Sequence, residues 1–286
     1  MVHWYPGHMA KAMRLIRERL KEVEVVLELL DARLPLSSRN PQIDQIVEEK
    51  PRLVLFNKAD LADPQVTEQW IAWFATSAQP VLPLNSITGQ GVEQIIPKCE
   101  QLLRDQRLAL QKKGVQPPPI RAMILGIPNV GKSTLINRML SRKAAKTGNR
   151  PGLTQQQQWF TVRGKLQLLD TPGVLWPKFE DQEVGYRLAA SGAVKDEVLD
   201  IVEVALYALR LLRAHYLALL LQRYNLTALD GEPWEWLAAI GRKRGCLIAG
   251  GEVDLEKAAN LFLQDLRTGK IGRISLEWPP VPESSK

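Results

Sequence analysis

Between residues 120 and 140 an apolar run, a glycine-bracketed turn and an amphipathic segment follow one another, and this succession leaves few folds open to the chain. Ile120 to Leu125 reads as a buried strand, and Lys132 to Leu140 has helical periodicity. Between them, Gly126, Ile127, Pro128, Asn129, Val130, Gly131, Lys132 and Ser133 fit a pattern of two glycines around four residues, followed by Lys and Ser. The glycines let the backbone curl so that successive N–H groups converge, and the helix start adds partial positive charge. Residues Pro128 to Thr134 (Pro128, Asn129, Val130, Gly131, Lys132, Ser133 and Thr134) then face a bound nucleotide. Lys132 reaches its β- and γ-phosphates, and the Ser133 hydroxyl takes Mg²⁺. A functionless glycine-rich turn is the alternative, and the strand before and helix after argue against it.

Around this element the pattern is α/β. Apolar runs at Val23 to Leu30, Leu53 to Phe56 and Val81 to Leu84 alternate with helical stretches near Ile43 to Glu49 and Gln65 to Ala75, which predicts a mostly parallel sheet flanked by helices. A basic amphipathic helix over His8 to Leu20 precedes them. A single helix is expected from about Val92 to Lys112, ending at Gly114, with Pro117 to Pro119 as an extended linker. Two strands, Trp159 to Val162 and Leu166 to Leu169, join in a hairpin at Gly164. Past Pro177 the periodicity becomes helical, over Asp181 to Ala190, Asp196 to Arg223, Trp234 to Arg244 and Leu255 to Arg267. Two domains are expected: an α/β domain over residues 1–177 and a smaller all-α domain over 178–286. The length, 286 residues, suits two units at roughly 150 residues each.

Other strand ends carry the remaining chemistry. Asp170, Thr171, Pro172 and Gly173 close an apolar strand; Asp170 can join the Mg²⁺ shell, and the Gly173 N–H can donate to the γ-phosphate. Thr154, in the polar segment between, is the natural ligand that joins Mg²⁺ only with the γ-phosphate present. Asn57, Lys58, Ala59 and Asp60 follow a strand. A carboxylate at Asp60 accepts from guanine N1 and N2, a donor pair adenine lacks, so it selects GTP over ATP. Asn57 braces the loops and the Lys58 stem covers the base. Asn85 and Ser86 complete the base pocket, or form an ordinary strand-to-helix loop, with Gly89 and Gly91 shaping the turn.

The base-recognition elements thus precede the phosphate loop, the reverse of the usual GTPase order. Cyclic reordering keeps a pocket built at strand ends while moving the termini. In the order NKAD, NSITGQG, GIPNVGKST, PGLT, DTPG, in the opening WYPGHMAKA and in DARLPLSSRNP at Asp31 to Pro41, the whole chain resembles the circularly permuted GTPases, most closely the ribosome biogenesis GTPase A family. The resemblance implies a GTPase domain followed by a helical domain, acting in late assembly of the large ribosomal subunit. Val174 stands where many GTPases place a water-orienting glutamine. The resemblance points instead to His8, whose alternative is a surface histidine. Asn129 resembles the asparagine of potassium-activated GTPases, which implies K⁺ near the β–γ bridge; its alternative is a turn residue after Pro128. Asp31, Ala32 and Arg33 read as punctuation and receive no catalytic role.

Lys and Arg number 38 against 31 Asp and Glu, a net charge of +7, which favours a polyanionic partner or marks a basic surface. With the resemblance, ribosomal RNA is the expected partner. Trp234 and Trp236, near Arg242 to Arg244, serve either stacking on RNA or the core. Met1 to Ala10 lacks a charged start followed by an apolar run, and the apolar stretch Val198 to Leu221 is interrupted by Asp200, Glu203, Arg210 and Arg213. A cytoplasmic protein without membrane contact is expected. A nucleotide-switched module regulating another protein is the rival function; a plain ATPase is disfavoured by Asp60.

Overall fold

The computed structural model describes residues 6–47, 50–141, 158–175, 181–194 and 200–280, with side chains from residue 11 onward. Its centre is a sheet of β1 (Val25–Asp31), β2 (Arg52–Asn57), β3 (Val81–Pro83), β4 (Ile120–Leu125), β5 (Trp159–Val162) and β6 (Leu166–Leu169). The strand order is β3-β2-β1-β4-β6-β5, parallel throughout except for β5, which pairs antiparallel with β6. β1 is buried along its whole length and pairs with both β2 and β4, as expected of an apolar run covered on both faces. Its one charge before the strand end, Glu28, is buried and paired at 3.2 Å with both Arg39 and Arg52.

Successive strands run outward from β1 to β3, and the chain then returns to lay β4 on the other side of β1. This reversal makes β1 and β4 the switch point, and the crevice beyond their C-terminal ends is where such sheets take ligands. The glycine loop, the DTPG turn, the NKAD segment and the NSITGQG loop each leave a strand at that end.

Helices α1 (Pro6–Leu20), α2 (Pro41–Val47), α3 (Pro64–Thr76), α4 (Ile95–Leu102), α5 (Arg104–Lys112) and α6 (Lys132–Leu140) accompany the sheet. Asp63 caps α3, its side chain accepting from the Gln65 and Val66 N–H groups, and Pro64 opens the helix. The single helix expected from Val92 to Lys112 is corrected: a 3-10 turn at Val92–Gln94 leads into α4, and the chain bends at Leu103 before α5. Apolar anchoring explains the break. Ile95, Ile96, Cys99 and Leu103 are buried, whereas α5 has no fully buried residue.

Beyond the sheet lie α7 (Gln182–Ser191), α8 (Ile201–Tyr224), α9 (Pro233–Lys243) and α10 (Leu255–Arg267). α8 is long and apolar enough to cross a membrane, but here it packs against α7, α9 and α10, burying Val204, Ala205, Ala208, Leu209 and Leu212. It kinks at Tyr216. One cluster of buried apolar residues continues from the sheet, through Leu27 and Ile124, into Leu188, Leu209 and Phe262 of the helices. After α10 the chain turns back across the α/β part.

Candidate functional site

The loop after β4 is shaped by its glycines and by a neighbour far away in sequence. Gly131 has φ +108°, and a Cβ there would lie 2.3 Å from Asn57 Nδ2, so only glycine fits. Asn129 also adopts a left-handed conformation, φ 57°. α6 begins at Lys132 with no side-chain cap and no acidic residue in its first turn, which leaves its start suited to an anion. Lys132 folds back across the loop, its Nζ donating at 2.9 Å to the carbonyls of Gly126 and Ile127. It is buried, and that burial, partly offset by the Asp170 carboxylate, pulls its pKa down to about 8.

The end of β6 meets this loop. Asp170 is buried, and the Thr171 hydroxyl donates to the Ile124 carbonyl at 2.6 Å, fixing the turn to β4. Gly173 touches the β4 loop so closely that a Cβ would stand 2.9 Å from both Lys132 Nζ and Pro128 N. Val174 turns inward, buried in a cluster with Leu125, Leu169 and Ile16, while its carbonyl accepts from Asn40 Nδ2 at 3.2 Å.

At the end of β2, Asn57 ties three loops together. Its Nδ2 donates to the Val130 carbonyl at 2.7 Å, and its Oδ1 accepts from the Ser86 N–H at 3.0 Å and hydroxyl at 2.6 Å. Asn85 shapes the adjacent turn, its Oδ1 accepting from the N–H groups of Ile87 and Thr88. Asp60 is exposed at the rim, with no hydrogen bond or ion pair among the described residues. The loop therefore leaves this carboxylate exposed, a few residues beyond the Asn57 amide that touches the glycine loop.

Two features escape a reading of the sequence. Asp31 and Arg33, which read as punctuation, form a buried bidentate pair (Nε–Oδ1 2.9 Å, Nη2–Oδ2 2.8 Å), and Lys58 Nζ joins Asp31 Oδ2 at 2.9 Å. Burial alone would raise the Asp31 carboxyl, but Arg33 and Lys58 outweigh it and hold it well below the usual range. Lys58 is thereby anchored by its tip, with a quarter of its side chain left exposed. The opposite charges gathered within a few residues of two strand ends are the one signal of this cluster that the sequence carries. The second feature is Asn129, whose Nδ2 donates to the Gly192 carbonyl at 3.2 Å, at the C-terminal cap of α7. Thr154 lies outside the described residues; so does the side chain of His8, whose backbone belongs to α1.

With phosphate-loop and base-loop geometry facing each other in permuted order, the comparisons with known proteins are decisive. The family described as 50S ribosome-binding GTPase matches residues 121–236. Ribosome biogenesis GTPase A of Bacillus cereus is 51% identical over 98% of this chain and 94% of its own length. The chain belongs to the ribosome biogenesis GTPase A family. It is a GTP-binding GTPase with the permuted α/β domain and helical C-terminal region that the sequence predicts. Within this wider group, mitochondrial ribosome-associated GTPase 1 of Mus musculus is 34% identical, covering 99% of this chain and 92% of that protein. GNP-bound YlqF from T. maritima superimposes with a TM-score of 0.65 at 26% identity, over 94% of this chain and 98% of that one.

Proposed function

We propose that GTP lies with its base against Asn57, Lys58, Asp60, Asn85 and Ser86 and its phosphates in the loop from Pro128 to Thr134, and that its hydrolysis serves late assembly of the large ribosomal subunit. The observation that carries the pocket is the Asn57 brace, which sets the base loop and the phosphate loop at a fixed separation. Names of the relatives, ribosome biogenesis GTPase A among them, support the ribosomal role. It would be exercised in the cytoplasm, where we place the chain, with residues 1–177 as the GTPase domain and 178–286 as the domain that touches RNA. Trp234 is 53% exposed and follows the stacking alternative, while Trp236 is buried under Arg213 at 4.7 Å and belongs to the core.

The residues also fit Mg²⁺. Ser133 at the start of α6 and the buried Asp170 carboxylate supply the hard oxygen donors it prefers, with Thr154 as the third candidate. Once held there, the ion neutralises charge on the phosphates. Lys132 binds the β- and γ-phosphates, and the Gly173 N–H, pressed against the loop, donates to the γ-phosphate. For K⁺, Asn129 would offer its carbonyl oxygen, since its amide nitrogen already serves Gly192. His8 is our candidate for orienting water: Ala12 and Ile16 on the same helix pack in the cluster that contains Val174.

Lys132 gives this reading a pH dependence. Phosphate favours the charged ammonium, whereas burial in the free protein holds its pKa near 8. GTP binding then takes up a proton above about pH 8, so affinity is flat below that value and falls as pH rises through it. In the free protein the sign is opposite. The unfolded chain, with Lys132 at 10.5, binds more protons between about 8 and 10.5, so stability from this group rises with pH across that window. Calorimetry of GTP binding in buffers of different ionisation enthalpy reads the proton uptake directly.

The ribosomal role is tested by GTP turnover with and without large-subunit particles. Stimulation is expected, lost in His8→Ala with nucleotide affinity unchanged, greater in K⁺ than in Na⁺, and tied to particle binding that weakens steeply with salt. Turnover indifferent to the particles would favour a switch acting on another protein.

A further inference from the structure

The guanine-recognition loop satisfies only part of its backbone by itself. The Leu61 N–H donates to the Lys58 carbonyl at 2.9 Å and the Ala59 N–H to the Leu84 carbonyl at 3.2 Å, while further partners between Ala59 and Asp63 come from the segment that follows α10. Arg273 donates from Nε to the Ala62 carbonyl at 2.9 Å and from Nη2 to the Ala59 carbonyl at 3.0 Å. The Ile274 N–H donates to the Leu61 carbonyl at 2.8 Å, and the Asp63 N–H donates to the Ser275 hydroxyl at 3.3 Å. Carbonyls on both sides of Asp60 are thus held by one strap. A Cβ at Gly269, where the strap begins, would stand 2.7 Å from the Leu61 side chain, so the approach is close along its length.

The strap is itself anchored at both flanks. The Ser275 N–H donates to the Tyr216 hydroxyl at 3.1 Å, and that hydroxyl donates to Asp63 Oδ2 at 3.1 Å, linking the kink of α8 to the cap of α3. Further on, the Leu276 N–H donates to the Arg33 carbonyl at 2.7 Å, and Trp70 Nε1 donates to the Glu277 carbonyl at 3.2 Å. The Glu277 carboxylate accepts from the backbone N–H groups of Leu36 and Ser37 and from the Ser37 hydroxyl. Arg33 in turn holds Asp31, which holds Lys58. Two of the residues assigned to the base, Asp60 and Lys58, are therefore steadied by the strap, one through its own loop and the other through the Asp31 pair.

We propose that Arg273 and Ser275 are positioning residues for guanine recognition: the strap holds the Asn57–Asp63 loop so that the Asp60 carboxylate meets the base already oriented. This inference rests on the assignment of Asp60 to guanine. It also has a reciprocal consequence, because a base that orders the loop stabilises the strap and, through Tyr216, its seat on α8. Preorganisation of this kind acts on affinity and base discrimination, not on the phosphate chemistry across the crevice.

Arg273 is exposed, so its truncation leaves no core cavity. Affinities for GTP and for inosine triphosphate, which lacks the 2-amino group, are compared in the full chain together with kcat at saturating GTP. Arg273→Ala is expected to weaken GTP about tenfold, the scale of a lost charge-assisted hydrogen bond, with kcat unchanged and the preference over inosine triphosphate reduced. Arg273→Lys restores part of the affinity, and Ser275→Ala shifts it in the same direction by a smaller factor. If Asp60→Ala weakens GTP while Arg273→Ala and Ser275→Ala leave affinity and base preference at wild-type values, the strap has no positioning role. A loss equal for both nucleotides and accompanied by a fall in kcat also overturns it, as a general structural effect. Should Asp60→Ala itself bind GTP normally, the base assignment fails and takes the inference with it.

Discussion

Lys132→Met is expected to lower GTP turnover by about a thousandfold, the scale seen when a charge-stabilising donor is removed from a transition state. The lysine bridges the Gly126 and Ile127 carbonyls from inside the loop, close enough to Gly173 that a Cβ there would stand 2.9 Å from its Nζ, so its ammonium is already held within the loop proposed to take the phosphates. Methionine keeps the length of the stem and its packing while removing the charge. Stability should not fall with activity. A lysine whose pKa is pulled to about 8 by burial carries its charge at a cost in the folded protein, and that cost disappears with the charge. Single-turnover hydrolysis alongside a urea melt of the nucleotide-free protein separates the two effects. A variant that hydrolyses GTP within tenfold of wild type would remove Lys132 from the catalytic machinery.

Asp60→Asn is expected to cost about a hundredfold in GTP affinity and to transfer preference to xanthosine triphosphate. A carboxylate accepts from both N1 and the 2-amino group of guanine, whereas an amide faces that pair with its own N–H₂ and meets donor with donor. The asparagine oxygen can still accept from N1, and a charge-assisted hydrogen bond contributes roughly 1.5–3 kcal/mol, so losing the one to the 2-amino group supplies the stated factor. Xanthine carries a carbonyl in place of the 2-amino group, which the asparagine N–H₂ can serve. Asp60 is exposed, which keeps the exchange from opening a cavity in the core. Competition binding with guanosine, xanthosine and adenosine triphosphates reads the switch; unchanged selectivity would move base recognition elsewhere.

Much of the site is legible in the amino-acid sequence. The loop from Gly126 to Ser133, the helix Lys132–Leu140, the DTPG turn and the NKAD segment are contiguous, and their meaning lies in local backbone chemistry: glycine where the chain curls, an oxygen donor at a helix start, a carboxylate after a strand. Strands β5 and β6 have the ends their pattern predicts, because an alternating and an apolar run flank a clear turn. Helix α10 also has its predicted ends, though the exchange of one long helix for α4 and α5 shows the limit of periodicity. Nothing local separates a helical residue from Leu103, which leaves helical geometry because it must stay packed while its successors do not.

Tertiary structure decided which distant groups meet. Gly131 is readable as a turn glycine, but the Asn57 amide that forbids a side chain there comes from another strand. Asp31 and Arg33 look like punctuation until packing encloses them with Lys58 and makes them a charged core. Arg273 lies 214 residues from the Ala59 carbonyl it holds, and Asn129 lies 63 residues from Gly192. The chain by itself therefore determined the chemical inventory, since motifs act through neighbours along the backbone. How the strap, the helices and the two nucleotide loops are held together followed only from folding, because hydrogen-bond partners so far apart are chosen by the packing that brings them into reach.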